Sequence, residues 1–436
     1  MCKAAEAEGV VLHPARLPEE FHGVTNNNRV DATDLRILAL KQDSEMIING
    51  RVYDVSQFAR RHPGGSIIKY QLGSDASDAY NNFHLRSKTA NKMLRSLPSR
   101  PVDENHAHAE DALSRDYEVL RSSLVAEGYF DPDIRHVVFR CIEVVVMYYA
   151  ALLLVWRGWW WLGAFVGGIA QGRCGWLQHE GGHYSLTGHI KIDRHLQMVI
   201  YGLGCGMSGC YWRNQHNKHH ATPQKLGADP DLQTLPLIAF HKIIGKKGNK
   251  LWLKLQAPLF FTGPICTLVA WAWQFLQHPN HAFRVHNYLE LFWMGLRYVL
   301  WHYAFGYMGF GASFRLYSVY VGIGATYIFT NFAVSHTHKD VVPKTKHLSW
   351  TLYSANHTTN CSNHWFVNWW MAYLNFQIEH HLFPSMPQYR HPLIHHRVKA
   401  LFEKHGVEYD VRPYMECMRV TYANMWAVGH THDHHH

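Results

Sequence analysis

The sequence predicts a small α+β domain followed by an all-α domain that crosses a membrane several times. Three observations support this fold class. A β-hairpin pattern lies near the N-terminus, long apolar segments follow after residue 130, and the 436-residue chain contains 35 histidines. With 47% hydrophobic and 17% charged residues, the composition is more apolar than that of most soluble enzymes. The histidine excess suggests a bound transition metal.

The N-terminal part of the chain has the pattern of a small soluble domain. Met46-Ile47-Ile48, the turn pair Asn49-Gly50 and Val52-Tyr53-Asp54-Val55 predict a β-hairpin. Short helical stretches follow, then a polar linker and an amphipathic stretch from Leu113 to Phe130. The predicted divisions are a polar lead (1–35), the α+β domain (36–98), the linker with its amphipathic helix (99–130), the membrane domain (131–429) and a histidine-rich tail or tag (430–436).

Four apolar segments are long enough to cross about 30 Å of hydrocarbon as helices. A tight break at Arg157-Gly158 joins the first two as a helical hairpin, whereas the charges of Tyr288–Phe310 predict an interfacial helix. Two hairpins would leave the N-terminal domain, residues 179–255 and residues 335–436 on one side of the membrane. The predicted spans are Val137–Val155, Trp159–Leu177, Ala257–Leu276 and Leu316–Val334.

Charge and cysteine content exclude several classes of protein. The net charge of +9 is spread along the chain without a long basic run, so no nucleic-acid partner is expected and a basic cytosolic membrane face explains the charge. The eight cysteines form no C-x-x-C pair, which predicts free thiols in a reducing compartment. No cleavable secretory signal is expected from the polar N-terminus.

Two histidines of the N-terminal domain have the pattern of haem ligands. His62-Pro63-Gly64-Gly65 follows the hairpin, and Phe83-His84 comes 22 positions after His62. A haem held by two imidazoles needs one histidine from each wall, and glycines beside one ligand let the backbone approach the porphyrin. Such a haem has no open position and transfers single electrons. The tetrapeptide alone could be a polar turn, but the hairpin before it and the second histidine after it favour haem.

Three further histidine clusters lie just outside the predicted spans. Their spacings of i, i+3 and i+4 place imidazoles on one helical face, and the topology brings the clusters to one side of the membrane. Together they offer more ligands than one ion can use, so a two-metal site is indicated. Imidazole ligands suit zinc, copper or iron, and the haem favours redox-active iron. Asp229 could support a ligand or form a turn. The cluster residues are His179 and His183; His216, His219 and His220; and Gln377, His380 and His381, with His336 as an additional candidate.

These motifs resemble two known families. Residues 36–98 resemble cytochrome b5, and the three clusters resemble the histidine boxes of membrane fatty-acid desaturases. The N-terminal fusion and Gln377 opening the third box resemble the front-end subgroup. The resemblance implies an α+β cytochrome b5-like domain followed by an all-α multi-span membrane desaturase domain with a cytosolic histidine-rich cap. It also implies haem b on His62 and His84, and two non-haem irons on the seven box histidines and His336. At Gln377, where other desaturases have histidine, weak coordination or none is expected.

The resemblance further implies an oxygen-dependent desaturase of the endoplasmic reticulum membrane, with its N-terminal and catalytic domains facing the cytosol. Electrons would come from NADH through a separate NADH-cytochrome b5 reductase, in agreement with the absence of a nucleotide-binding glycine motif from the sequence. The substrate would be a fatty acyl-CoA or a phospholipid-bound acyl chain, with the new cis double bond at carbon 5 or 6. A sphingolipid long-chain-base delta-8 desaturase is the alternative, and a hydroxylase, a haem carrier and a metal transporter fit less well.

Overall fold

The computed structural model describes residues 40–102, 112–344, 346 and 348–431. The predicted lead (1–35) and most of the histidine-rich tail lie outside the described residues. In the N-terminal domain, strands β1 (Glu45–Ile48) and β2 (Arg51–Asp54) form the predicted hairpin, and Asn49 and Gly50 have the positive φ values that its turn needs. Strand β3 (Ser99–Pro101) pairs with β2, so the sheet continues beyond residue 98, where the domain was predicted to end.

The other described elements are mainly helical. A parallel pair of short strands, β4 (Asn360–Cys361) and β5 (Val411–Arg412), joins two C-terminal segments. The helices are α1 (Ser77–Phe83), α2 (Lys88–Arg95), α3 (Ala112–Ala126), α4 (Ile134–Trp156), α5 (Trp160–Gly182), α6 (Ile190–Cys205), α7 (Gly209–Ala221), α8 (Lys242–Gly245), α9 (Lys250–Lys254), α10 (Gln256–Phe261), α11 (Pro264–Ala272), α12 (His278–Arg284), α13 (Tyr288–Phe305), α14 (Phe310–Ala333), α15 (Trp350–Asn356), α16 (Trp365–Trp370), α17 (Gln377–Leu382), α18 (His391–Lys404) and α19 (Tyr414–His430), and the strands are β4 (Asn360–Cys361) and β5 (Val411–Arg412).

Helices α4 and α5 form the predicted hairpin. Gly158 lies between them with a φ of +86°, a conformation that glycine adopts without strain. Small residues let α5 approach α14 closely, because a Cβ on Gly168 would lie 2.7 Å from Ile323 Cβ. Glu143 of α4, a charged residue within the first predicted span, forms ion pairs with Arg140 and Arg173 at 3.1 and 2.7 Å.

The prediction of four apolar spans is only partly supported. Among the described residues, α4 alone combines the length and the apolar composition of a membrane span, with a mean hydropathy of 2.1. The predicted third span, 257–276, is wrong as a single helix. It is divided between α10, α11 and a π-helical turn, with a break at Gly263 (φ +106°) before Pro264, because proline cannot donate the backbone hydrogen bond that would continue the first helix.

Two charged residues of α13, the helix predicted to be interfacial, are buried inside the protein. Glu290 accepts a hydrogen bond from the backbone N–H of Cys210 at 2.9 Å, and Arg297 donates to the carbonyl of Leu203 at 2.9 Å. Both partners belong to segments next to the second histidine box, including α6, a helix that the sequence did not predict. Buried charges with internal partners therefore anchor α13 against these helices.

The N-terminal domain and the C-terminal part of the chain share one hydrophobic cluster. Ala79 of α1, Tyr117 of α3 and Trp350 of α15 pack with Leu382 and Phe383 at the end of α17. The amphipathic stretch predicted at 113–130 is α3, whose apolar face enters this cluster. Apolar burial therefore holds the N-terminal domain against the segment that carries the third histidine box.

Candidate functional site

Four chain segments bring the predicted box histidines together. Helix α5 carries His179 and is followed by its C-cap residue His183, α7 carries the second box, and α17 carries the third. His336 follows α14. The i, i+3 and i+4 spacings put the imidazoles of each segment on one helical face, as predicted.

The eight histidines form two adjoining groups. Within each group, one potential ligand atom from every residue lies within 4.8 Å of the others. The two groups touch, since the rings of His220 and His381 stack with centroids 4.3 Å apart. The two histidine groups are compatible with the two-metal site that the number of ligands predicted. The five-histidine group comprises His179, His183, His216, His220 and His380, and the three-histidine group comprises His219, His336 and His381.

The burial and the missing hydrogen bonds of these imidazoles are those expected of metal ligands. Several ring nitrogens are buried without a hydrogen-bond partner, namely Nε2 of His179, Nε2 of His183 and both ring nitrogens of His380. Burying such polar atoms costs free energy unless a bound group, such as a metal ion, accepts their lone pairs. Burial, reinforced by neighbouring imidazoles, holds the pKa of His220 and His381 well below the usual range. Neutral imidazoles are the form that binds transition metals.

Asp229 orients His219, which answers the question that the sequence left open. Nδ1 of His219 lies 3.0 Å from Oδ2 of Asp229, and that carboxylate also accepts hydrogen bonds from the backbone N–H groups of Gln224 and Asp231. Burial opposes protonation of His219, but the carboxylates of Asp229 and Asp231 outweigh it and raise its pKa to about 9, so a metal ion bound at Nε2 would displace a proton. With Nδ1 bound to the carboxylate, Nε2 is directed to the three-histidine group, a common orientation for metal-binding histidines.

Other partners come from more distant segments. Nδ1 of His336 bonds to the carbonyl of His357 at 3.0 Å, and Nδ1 of His179 lies 2.7 Å from the side-chain amide of Gln388. No spacing rule in the sequence connects Gln388 with His179, 209 positions away, so sequence analysis missed it. His338, two residues after His336, bonds instead to the hydroxyl of Thr359.

The third box is held by a polar network. The side chain of Asn360 accepts a hydrogen bond from the Ile378 N–H and donates one to Glu379 Oε2, both at 2.8 Å. The hydroxyl of Tyr409 donates to Glu379 Oε1 at 2.6 Å. These bonds fix α17 in place, while Gln377 lies buried at its first position. The coordination predicted for Gln377 stays a prediction.

His62 and His84 form a separate pair in the N-terminal domain. Their ring centroids lie 6.1 Å apart, and each Nδ1 is bound to a backbone carbonyl, of Gly65 and of Tyr80 respectively. This leaves the Nε2 atom of each ring available as a ligand. Burial, together with the nearby His62, lowers the pKa of His84 to about 4, so the imidazole is neutral. A Cβ on Gly64 would lie 2.8 Å from the ring of His62, which explains glycine there.

Comparisons with known proteins agree with this division into two parts. The family described as "Fatty acid desaturase" matches residues 137–413, and that described as "Cytochrome b5-like Heme/Steroid binding domain" matches residues 31–100. An "Acyl-lipid (8-3)-desaturase" from Rebecca salina is 55% identical over 391 residues, 88% of this chain and 92% of the relative. One of the same name from a Thraustochytrium species is 44% identical, with the same coverage.

A more distant relative is the human "Fatty acid desaturase 3", which is 30% identical over 403 residues, 86% of this chain and 87% of the relative. The matches extend over both the histidine pair and the two histidine groups. The domain match implies haem, and the histidine groups are compatible with a di-iron centre. This chain therefore belongs to the fatty acid desaturase family of membrane-bound oxidoreductases, in the front-end group that carries a fused cytochrome b5 domain.

Proposed function

We propose that this protein is an oxygen-dependent di-iron desaturase that inserts a cis double bond at carbon 5 of polyunsaturated acyl chains. The main support is the convergence of eight histidines into a five-histidine and a three-histidine group with unpartnered buried nitrogens. Removing hydrogen from two neighbouring unactivated methylenes is beyond side-chain acids and bases, so an oxidising metal-oxygen chemistry must supply it. The net reaction consumes O2, two electrons and two protons, and yields the alkene and two waters.

The proposed ligands are the eight grouped histidines for two irons and His62 with His84 for haem b. The unequal groups suggest unequal roles, because three imidazoles would leave more coordination positions open on an iron ion than five would. Gln377 is proposed as a weak ligand or a neighbour of the three-histidine group. Electrons would arrive from NADH through a separate cytochrome b5 reductase.

The proposed position of the double bond comes from the relatives. Two of them are named "Acyl-lipid (8-3)-desaturase". We take the first number as the position of an existing double bond and the second as the distance towards the carboxyl end, which gives carbon 5. Those names also favour a lipid-bound acyl substrate over acyl-CoA. Insertion at carbon 6 and a sphingolipid long-chain base are the competing possibilities.

We propose a multi-pass location in the endoplasmic reticulum membrane, with the histidine groups facing the cytosol. Large apolar side chains are exposed on both helices of the first hairpin, among them Phe139 at 61% and Trp161 at 77%. An exposed apolar surface of this kind fits lipid contact. Glycosylation mapping or protease protection of tagged termini would test this orientation.

The function is tested by expressing the chain in yeast fed with linoleic, α-linolenic or dihomo-γ-linolenic acid, with His381→Ala as the inactive control. Gas chromatography with mass spectrometry is expected to detect a product from dihomo-γ-linolenic acid, whose first double bond is at carbon 8, with the new bond at carbon 5. Early label in phosphatidylcholine rather than in acyl-CoA would support a lipid-bound substrate. A product of linoleic acid would instead indicate carbon 6, and a desaturated long-chain base without new fatty acids would contradict the acyl assignment.

A further inference from the structure

We propose that Trp350 is an electron-transfer residue, which couples the haem side of the N-terminal domain to the third histidine box. The inference rests on the proposed haem and iron sites. It concerns a residue outside all the histidine motifs, in the segment between α14 and α17. The contacts around Trp350 connect the two redox sites by a short chain of bonded and packed atoms.

The route begins at His84 and ends at His381. Phe83, the chain neighbour of His84, packs edge-on against Trp350 with ring centroids 5.5 Å apart. The indole N–H of Trp350 donates to the carbonyl of Leu382 at 3.2 Å, and Leu382 follows His381 in the chain. Electronic coupling falls more slowly through covalent and hydrogen bonds than across open gaps. The route therefore has one van der Waals step, between Phe83 and Trp350.

The surroundings of Trp350 are dry and fixed. Its side chain is buried in the cluster that joins the two domains, and Leu382 is fully buried. The same Leu382 carbonyl accepts a second hydrogen bond, from the hydroxyl of Tyr117 at 2.7 Å, and Tyr117 is bound in turn by Asn82 of α1. Both domains thus hold this carbonyl in place, so the distance between the redox sites does not depend on transient docking.

A second contact between the domains gives a rival route. The side chain of Gln71 donates to the carbonyl of Ala221 at 3.3 Å, and Ala221 follows His220 in the chain. This contact is only partly buried and contains no aromatic ring, and its hydrogen bond is longer than usual. The geometry therefore favours the path through Trp350.

Each transfer moves one electron and neither forms nor breaks a bond. The electron would pass from a ferrous haem held by His62 and His84, which would become ferric, to a ferric iron held by the box histidines, which would become ferrous. Two transfers supply the two electrons that one desaturation requires, with O2 as the final oxidant and the NADH-dependent reductase as the source. Trp350 provides coupling in this step and is not itself consumed.

The test is stopped-flow absorbance of the full-length holoenzyme in detergent, with the haem reduced beforehand and its reoxidation followed after mixing with O2 and acyl substrate. Trp350→Phe removes the indole hydrogen bond, and Trp350→Leu also removes the ring. We expect reoxidation to slow several-fold in Trp350→Phe and further in Trp350→Leu, with unchanged haem spectrum, midpoint potential and iron content. The matched control is Trp252→Phe, since Trp252 makes the same kind of bond, to the Leu237 carbonyl at 2.8 Å, in a different cluster.

Wild-type reoxidation rates in both Trp350 variants would overturn the proposal. So would slowing in Gln71→Ala alone, which would assign the route to the second box, or loss of iron from Trp350→Phe, which would make Trp350 a purely structural residue. Failure of the proposed function itself looks different, because wild-type protein with bound haem and iron would then fail to reoxidise its haem with substrate.

Discussion

The histidine pair of the N-terminal domain and the eight histidines of the membrane domain are oriented by different parts of the chain. His62 and His84 each bond to a carbonyl only three or four residues away. In contrast, His179 and His336 find their partners 209 and 21 residues away. The pair is therefore arranged by two short local segments, whereas the two histidine groups depend on the packing of the whole membrane domain.

This difference predicts how each site responds to change. A local site should tolerate damage elsewhere in the protein and fail only when its own segment is altered. A site assembled from distant segments should also lose affinity when a remote supporting residue is replaced. Haem and iron content, measured separately in each variant, distinguish these two kinds of site.

The largest effect is expected from the loss of a ligand in the smaller group. His381→Ala leaves two imidazoles in the three-histidine group, whereas His380→Ala leaves four in the five-histidine group. We expect His381→Ala to lose about half of the iron and all desaturation, and His380→Ala to retain more iron. Iron analysis of purified protein measures this. In both variants the haem absorbance should be that of the wild type.

The reciprocal control is His84→Ala, which should lose haem and retain iron, because no box histidine depends on His84. Loss of haem from His381→Ala, or of iron from His84→Ala, would contradict the independence of the two sites.

The next effect concerns the carboxylate behind His219. Asp229→Asn removes the charge that holds the His219 ring, and we expect iron affinity to fall about 10–100-fold. Competition with a chelator measures that affinity. The control is Asp231→Asn, because the Asp231 carboxylate is 62% exposed and lies farther from His219, at 3.4 Å. Equal losses in the two variants would mean that Asp229 acts through general charge rather than through its hydrogen bond.

The same contrast explains how far the sequence predicts the structure. The hairpin, the pair His62 and His84, and the grouping of the box histidines follow from local spacing and from the order of the helices. The broken third span and the burial of Arg297 could not be predicted in this way, because apolar composition alone cannot distinguish a continuous helix from a packed, interrupted one. Support by Gln388 was also unpredictable, since it depends on a long-range contact without a local pattern.

A smaller effect is expected from the network that holds the third box. Tyr409→Phe keeps the ring but removes the hydroxyl that binds Glu379, at a cost of about 1–3 kcal/mol for a buried polar group that loses a partner. We expect iron to be released at a lower temperature on heating, with haem release unchanged. Tyr303→Phe is the control, because Tyr303 is 81% exposed. A parallel shift in haem release would show that the network also supports the N-terminal domain.

The smallest effects are expected from two glycine substitutions in the N-terminal domain, one that tests steric contact with the His62 ring and one that tests backbone conformation. Gly64→Ala places a methyl group 2.8 Å from the His62 ring at an ordinary negative φ, so we expect weaker haem retention with little backbone strain. Gly50 has a φ of +74° and open space around it, so Gly50→Ala should cost about 1 kcal/mol of domain stability and leave haem affinity unchanged. Haem transfer to apomyoglobin measures retention, and thermal unfolding measures stability. If Gly50→Ala weakens haem retention as much as Gly64→Ala does, the His62 segment is not positioned by its own local contacts, and the contrast between a local and a long-range site fails.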